Sequence, residues 1–342
     1  MRPYPPPTQV RPQRVTPRLV WPTLALALIL AVDGFISPHF FAIRIVEGRL
    51  FGNVVDIVYR ATPIALVGLG MAIVIATKGI DLSVGSIIAI VGATLDWRIH
   101  AGDPHAIALV VALGVGLVCG LWNGLLVAVL DIQPIIATLI LMVSGRGVGL
   151  MINLIYGGGD PSFESPLLQG LSVGHLGWIP TRLVVGAGLW LALSALTRRT
   201  AFGLFLQAVG SNPRAARLAG VEARAVLVAA YLTSGFMAAA AGVILTADTH
   251  TSDPVSVGLY IELDAILAVV IGGGSLNGGR VYLFGTVLGA LVIQALTTSI
   301  LTSGLPPEYN LVVKAAVVLV VLLLQSARFR ATVMRLIPRG PR

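Results

Sequence analysis

Residues 106–130 read AIALVVALGVGLVCGLWNGLLVAVL, twenty-five positions without one charged side chain. At about 1.5 Å of rise per residue, a helix of that length exceeds the roughly 30 Å of a bilayer's hydrocarbon core. Seven further runs share this character, at about 19–37, 54–77, 134–152, 179–197, 225–246, 282–302 and 308–326. Two shorter apolar pieces, 84–96 and 261–274, are flanked by Gly-rich breaks. Counting both as crossings predicts ten spans; counting both as re-entrant predicts eight. We expect an all-α, polytopic protein with about ten transmembrane helices, two of them short.

Composition agrees. Of 342 residues, 56% are hydrophobic and 11% charged, with a mean hydropathy of +0.91. A soluble domain carries about a quarter charged residues, so this surface must face something apolar. The pI near 10.2 could suggest nucleic acid, but the position of the charges argues otherwise. Arg2, Arg11, Arg14 and Arg18 precede the first apolar run. Arg198, Arg199, Arg214, Arg217 and Arg224 share one central loop, 197–224, and Arg328, Arg330, Arg335, Arg339 and Arg342 lie in the tail. Basic residues clustered in short loops mark the cytoplasmic side. Both termini and the central loop are therefore expected inside, which requires an even number of spans. By the same count, 153–178 and 247–260 are expected as outer loops. Residues 1–18, Pro-rich and basic, read as a disordered cytoplasmic tail; 19–326 read as the membrane domain and 327–342 as a second basic tail. The run 19–36 is long enough to span and lacks a prompt small-residue cleavage site, so it reads as an uncleaved first helix. The lone Cys119 lies in an apolar run and reads as packing.

Three places could carry function. The first is the break Lys78-Gly79-Ile80-Asp81-Leu82-Ser83-Val84-Gly85. Gly79 can end one helix in the left-handed conformation, and Asp81 or Ser83 can cap the next. It is either a capped turn at the membrane surface or a broken helix lining a solute path. A similar pattern recurs around Gly273 and Ser275, a faint internal echo of the kind seen in transporters built from repeats. The second is Gly210-Ser211-Asn212-Pro213-Arg214-Ala215-Ala216-Arg217-Leu218-Ala219-Gly220. Asn212 is an N-cap residue, Pro213 suits the first helical position and Gly220 the stop. Such a helix suits docking to another protein, or rests on lipid headgroups. The third is the set of intramembrane charges Asp33, Arg146 and Lys314. Arg146 stands out among the small residues Ser144, Gly145 and Gly147. Asp56 and Arg60 are spaced as a helical ion pair, and Glu262 with Asp264 reads as a polar helix start.

Absent motifs narrow the function. The sequence holds no G-x-x-x-x-G-K-[ST], and the run Gly272-Gly273-Gly274-Ser275-Leu276-Asn277-Gly278-Gly279 lacks the lysine that would reach phosphate. It has no H-E-x-x-H, and its five histidines show no metal spacing. The one G-x-S-x-G match, Gly170-Leu171-Ser172-Val173-Gly174, falls in the expected outer loop 153–178 and not at the strand-to-helix turn that a nucleophile elbow requires. Any ATP hydrolysis that drives the protein must occur on another chain. An intramembrane enzyme is disfavoured. A self-sufficient secondary transporter or channel would need coupling carboxylates in the membrane, and the candidates are weak.

Four stretches together carry a family resemblance: 72–85 (AIVIATKGIDLSVG), Asn123-Gly124 with 133–139 (QPIIATL), 210–220, and 262–276 (ELDAILAVVIGGGSL). Over about 50–326 the chain resembles the membrane permeases of bacterial sugar ABC importers, the ribose and galactose type. Residues 48–52, 139–148, 305–308 and 312–315 look most like the galactofuranose branch. Lys78 departs from the Gly or Thr expected before Gly79. The resemblance implies a bacterial inner-membrane subunit without a cofactor of its own. A periplasmic binding protein would deliver the sugar, and two permease subunits, non-identical in the galactofuranose system, would form the path. A cytoplasmic ATPase pair would bind ATP and push on the helix 213–219. Gly210, Asn212, Pro213, Arg214, Ala215, Ala216, Arg217 and Gly220 would then form the coupling site. Gly79, Asp81, Ser83, Gly85, Arg146, Gly273 and Ser275 are the candidate path residues.

Overall fold

The computed structural model describes residues 19–37, 39–46, 49–156, 165–304, 306 and 309–325. The predicted tails 1–18 and 327–342 lie outside the described residues, as do 157–164 of the expected outer loop 153–178. In chain order the elements are α1 (Val20–Ile36), β1 (Arg44–Val46), β2 (Arg49–Phe51), α2 (Asn53–Ala76), α3 (Val84–His100), α4 (His105–Ala128) and α5 (Pro134–Tyr156). They continue with α6 (Pro166–Ser172), β3 (His175–Leu176), β4 (Ile179–Pro180), α7 (Thr181–Arg199), α8 (Ala201–Ser211), α9 (Pro213–Leu218), α10 (Ala223–Thr249), α11 (Ile261–Ile271), α12 (Leu283–Thr302) and α13 (Tyr309–Gln325). The strands form two small antiparallel hairpins.

The helices follow the apolar runs because a chain in hydrocarbon must satisfy its own N–H and C=O groups. Among the described residues, α2, α4, α5, α10 and α12 are long and apolar enough to cross a bilayer. The chain is thus a polytopic helical membrane protein. The other expected crossings form α1, α3, α7, α11 and α13, of which α11 has only 11 residues.

Helix α2 is the axis of the bundle, buried without a break from Leu66 to Ala76, and packs on α10, α12, α11 and α7. Helix α3 is buried continuously from Val84 to Asp96, between α5, α10 and α4. Both are apolar on all sides, as helices inside a bundle are. Helices α4 and α10 meet most closely. Cβ atoms built on Gly116, Gly120 and Gly124 would lie 2.3 Å from Ala239 Cβ, 2.5 Å from the Tyr231 carbonyl oxygen and 3.0 Å from Val228 Cα. Small residues four apart let two membrane helices touch by backbone, where packing rather than the hydrophobic effect drives association.

Two sequence expectations need correction. The central loop 197–224 is mostly helix: α8 buries Gly203, Leu206, Val209 and Gly210, and α9 follows it directly. Residues 247–260 are not a simple outer loop. The Ser252 amide donates to Asp96 Oδ2 at 3.3 Å, near the end of α3, and the chain then descends along that helix. A Cβ on Gly149 would meet Pro254 Cβ at 3.1 Å, and one on Gly258 would meet Ile88 Cγ2 at 3.0 Å. Helix α11, with 11 residues, is too short to cross a bilayer alone.

Candidate functional site

Helix α9 forms as its local sequence requires. The Asn212 side chain accepts from the amides of Arg214 and Ala215, each at 3.1 Å. Gly220, at φ 84°, and Val221 donate back to the carbonyls of Arg217 and Ala216 at 3.0 Å, closing the helix with the paired C-terminal bonds that a left-handed residue allows. Only Ala216 is buried; Arg214, Ala215 and Arg217 are exposed and Leu218 is 92% exposed. The predicted caps are present, and the described residues leave the apolar Leu218 side chain without cover.

Behind α9, three segments meet. Gly210 lies so close to the end of α2 that a Cβ there would stand 1.8 Å from the Ala76 carbonyl oxygen. That same carbonyl accepts from the Gly279 amide at 2.8 Å. The Lys78 ammonium donates to the Ser211 carbonyl at 3.2 Å. The α2 end, the α8–α9 corner and the loop after α11 are thus one assembly, held mostly by backbone.

The break after α2 differs from its sequence reading in one respect. Lys78, not Gly79, adopts the left-handed conformation, at φ 69°. Lys78 and Gly79 donate to the carbonyls of Ile75 and Val74 at 2.9 and 3.1 Å, the same helix ending as in α9. Gly79 is needed for space: a Cβ would sit 2.7 Å from the Tyr231 hydroxyl.

Beyond the break lies a buried polar network. Asp81 and Ser83 are wholly inaccessible. Asp81 Oδ1 accepts from the Ser83 amide at 3.1 Å and its hydroxyl at 2.6 Å, while Oδ2 accepts from the Ser234 hydroxyl at 2.7 Å. Asn123 Nδ2 donates to Ser83 Oγ at 2.7 Å. Ser83 occupies the N-cap position of α3 without capping through its side chain; its hydroxyl is committed to Asp81. A carboxylate buried this deeply is tolerated because each oxygen has donors. The network ties the break to α4 and α10.

One turn further, Gly85 opens onto the third group. A Cβ there would lie 2.6 Å from the Gly258 carbonyl oxygen, 2.7 Å from Glu262 Oε2 and 3.4 Å from Arg146 Nη2. Arg146 Nη1 donates to the carbonyls of Pro254, Val255 and Val257 at 2.9, 3.2 and 3.2 Å. The guanidinium serves three carbonyls that the segment's own turn bonds, such as Val257 N–H to the Asp253 carbonyl at 2.9 Å, do not use.

Gly79, Asp81, Ser83, Gly85 and Arg146 therefore form one continuous site. Gly273 and Ser275 do not join it. Ser275 lines a cavity of about 450 Å³ with Gln207, Ser211, Gly279 and Arg280, on the α8 side. The other intramembrane charges have partners: Asp33 Oδ2 accepts from the Ser299 hydroxyl at 2.6 Å, and Lys314 bonds Asp264 at 3.0 Å. Asp56 and Arg60, both exposed, do not form the pair their spacing suggested. Ser234 and the 254–257 carbonyls escaped the sequence reading, because no local pattern marks a group whose partner lies more than a hundred residues away. Asn123 was visible only as part of the family resemblance.

Comparison with known proteins places this architecture. The family described as "Branched-chain amino acid transport system / permease component" matches residues 53–322. The galactofuranose transporter permease protein of Escherichia coli (strain K12) is 51% identical over 328 residues, covering 94% of this chain and 95% of that protein. The fructose import permease protein of Bifidobacterium longum (strain NCC 2705) is 34% identical over 91% of this chain and 88% of its own length. The ribose import permease protein of Escherichia coli (strain K12) is 32% identical over 89% of this chain and 92% of its own length. No solved structure matches.

Proposed function

The chain belongs to the family of permease components that matches residues 53–322, and from that membership we propose that it carries a galactofuranose-like monosaccharide into a bacterial cell. It is the membrane-spanning permease subunit of a sugar importer of the ABC type, a transport subunit and not an enzyme. The 51% identity to a galactofuranose permease favours that sugar over ribose or fructose. In this reading the protein crosses the inner membrane ten times with both termini in the cytoplasm, as its arginine clusters favour. A second, non-identical permease subunit completes the path, a periplasmic binding protein supplies the sugar, and ATP is bound by a separate cytoplasmic ATPase. Gly79, Asp81, Ser83, Gly85 and Arg146 lie along the path.

The observation that carries the mechanism is α9. It is a fully capped helix with an exposed Leu218 and two exposed arginines, locked through Gly210 and Lys78 to the end of α2. An ATPase that pushes on α9 moves α2, the axis of the bundle, without an intervening flexible link. The permease needs only two arrangements whose balance ATP shifts.

Vesicles containing this chain, its neighbouring permease and its ATPase test the reading. ATP-dependent, binding-protein-dependent uptake of labelled galactofuranose is expected. Uptake that persists without any ATPase would return the protein to the secondary transporters. Leu218→Glu, at the exposed side chain of α9, is expected to abolish uptake while leaving the protein inserted.

A further inference from the structure

The segment 253–260 is non-helical at a depth where lipid does not tolerate such backbone. Its neighbours fix that depth. Pro254 packs against Gly149 and Ala89, and Gly258 against Gly85 and Ile88. Arg146, which binds the carbonyls of 254, 255 and 257, lies near the middle of the 23 residues of α5. Yet the described residues do not enclose this segment. Val255, Leu259 and Tyr260 are 60%, 50% and 47% exposed, and Asp253 and Ser256 are exposed beside them. Tyr260 is also held at φ 63°, a conformation that a bulky side chain seldom adopts.

Irregular backbone at membrane depth persists only where protein buries it or water reaches it. An exposed carboxylate and hydroxyl at Asp253 and Ser256 are likewise costly against acyl chains. Helix α4 shows the contrast. It presents Val110, Val118 and Trp122 from unbroken helix, a surface suited to lipid. We propose that residues 253–260 form the wall of the water-filled sugar path, with Arg146 holding that wall in its unwound shape. On this one exposed segment the Tyr260 ring offers a monosaccharide an apolar face, and the Ser256 hydroxyl, bonded to the Asp253 carboxylate, offers polar groups. This rests on the importer reading above and specifies which face of the subunit the sugar passes.

Thiol accessibility tests it. Single cysteines replace Val255, Ser256 or Leu259, and for comparison Val110, Val118 or Trp122, in a Cys119→Ala background. The full importer is assembled in membrane vesicles and exposed on both sides to a charged methanethiosulfonate. Only the thiolate reacts, and each unit by which an apolar setting raises a thiol's pKa slows labelling about tenfold. The three segment positions are expected to label at least about tenfold faster than the α4 positions, and transported sugar is expected to slow them. Labelling no faster than on α4 would overturn the proposal, whether lipid or a dry protein contact covers the segment. ATP-driven uptake in the same vesicles reports separately on the importer reading, since it is measured whatever the labelling pattern.

Discussion

Lys78 ends α2 in the left-handed conformation and donates its ammonium to the carbonyl of Ser211, the last residue of α8, at 3.2 Å. A position that favours glycine thus holds a side chain that bridges the bundle's axis to the helix corner before α9. Left-handed backbone costs a non-glycine residue about 1 kcal/mol, so the lysine trades local strain for a contact.

Two variants separate those effects. Lys78→Gly relieves the strain and removes the contact, with an expected stability change between zero and a gain of about 1 kcal/mol. Lys78→Met keeps the strain and removes only the contact. Both are expected to lower sugar taken up per ATP hydrolysed, and only the first to raise the thermal midpoint. Equal coupling in wild type and both variants would show that the contact transmits nothing.

Arg146→Met leaves three backbone carbonyls without their donor. Two of these bonds are part-buried and the one to Val255 is exposed, where water can replace the donor, so a loss of about 1–3 kcal/mol is expected, concentrated in the descending segment. Hydrogen exchange at residues 254–260 should accelerate well before exchange in α10 does. Uniform acceleration across the bundle would mean that Arg146 supports the whole fold instead.

Asp81→Ala strands the Ser83 amide and the Ser83 and Ser234 hydroxyls. We expect a loss of about 3 kcal/mol, whereas Ser234→Ala, which removes one neutral partner, should lose about 1–2 kcal/mol. In a double-mutant cycle the two should be strongly non-additive. Additive losses, read by denaturation in detergent, would dissolve the network into separate contacts.

Gly120→Val drives a side chain into the Tyr231 carbonyl, which is backbone and cannot rotate away. Poor insertion and degradation are the expected outcome. Gly147→Ala, on α5, meets nothing within 4 Å and should be neutral to slightly stabilising by its helix propensity. Comparable yields of the two variants in membranes would show that the α4–α10 contact is not a close one.

Much of this protein was legible without coordinates. The apolar runs announced the helices, since hydrocarbon leaves a chain no other way to satisfy its backbone. The caps of α9 were readable because an N-cap and a left-handed stop act within three or four residues. Even so, the polar reading of 197–224 hid α8, whose buried face is mostly small or spaced between exposed residues.

By itself, then, the sequence determined the class, the run of spans, the basic clusters and the capped helix, all properties of neighbours along the chain. Only tertiary structure decided that 252–260 descends beside α3, that Arg146 closes its carbonyls, and that Asp81 draws Ser234 and, through Ser83, Asn123 into one network. Those partners lie 40 to 153 residues apart, and a hydrogen bond between them exists only once the helices have packed. The break around Gly79 and Gly85 reads in the sequence as either a capped turn or a broken helix; folding makes it the meeting place of the axis helix, the buried carboxylate and the unwound segment.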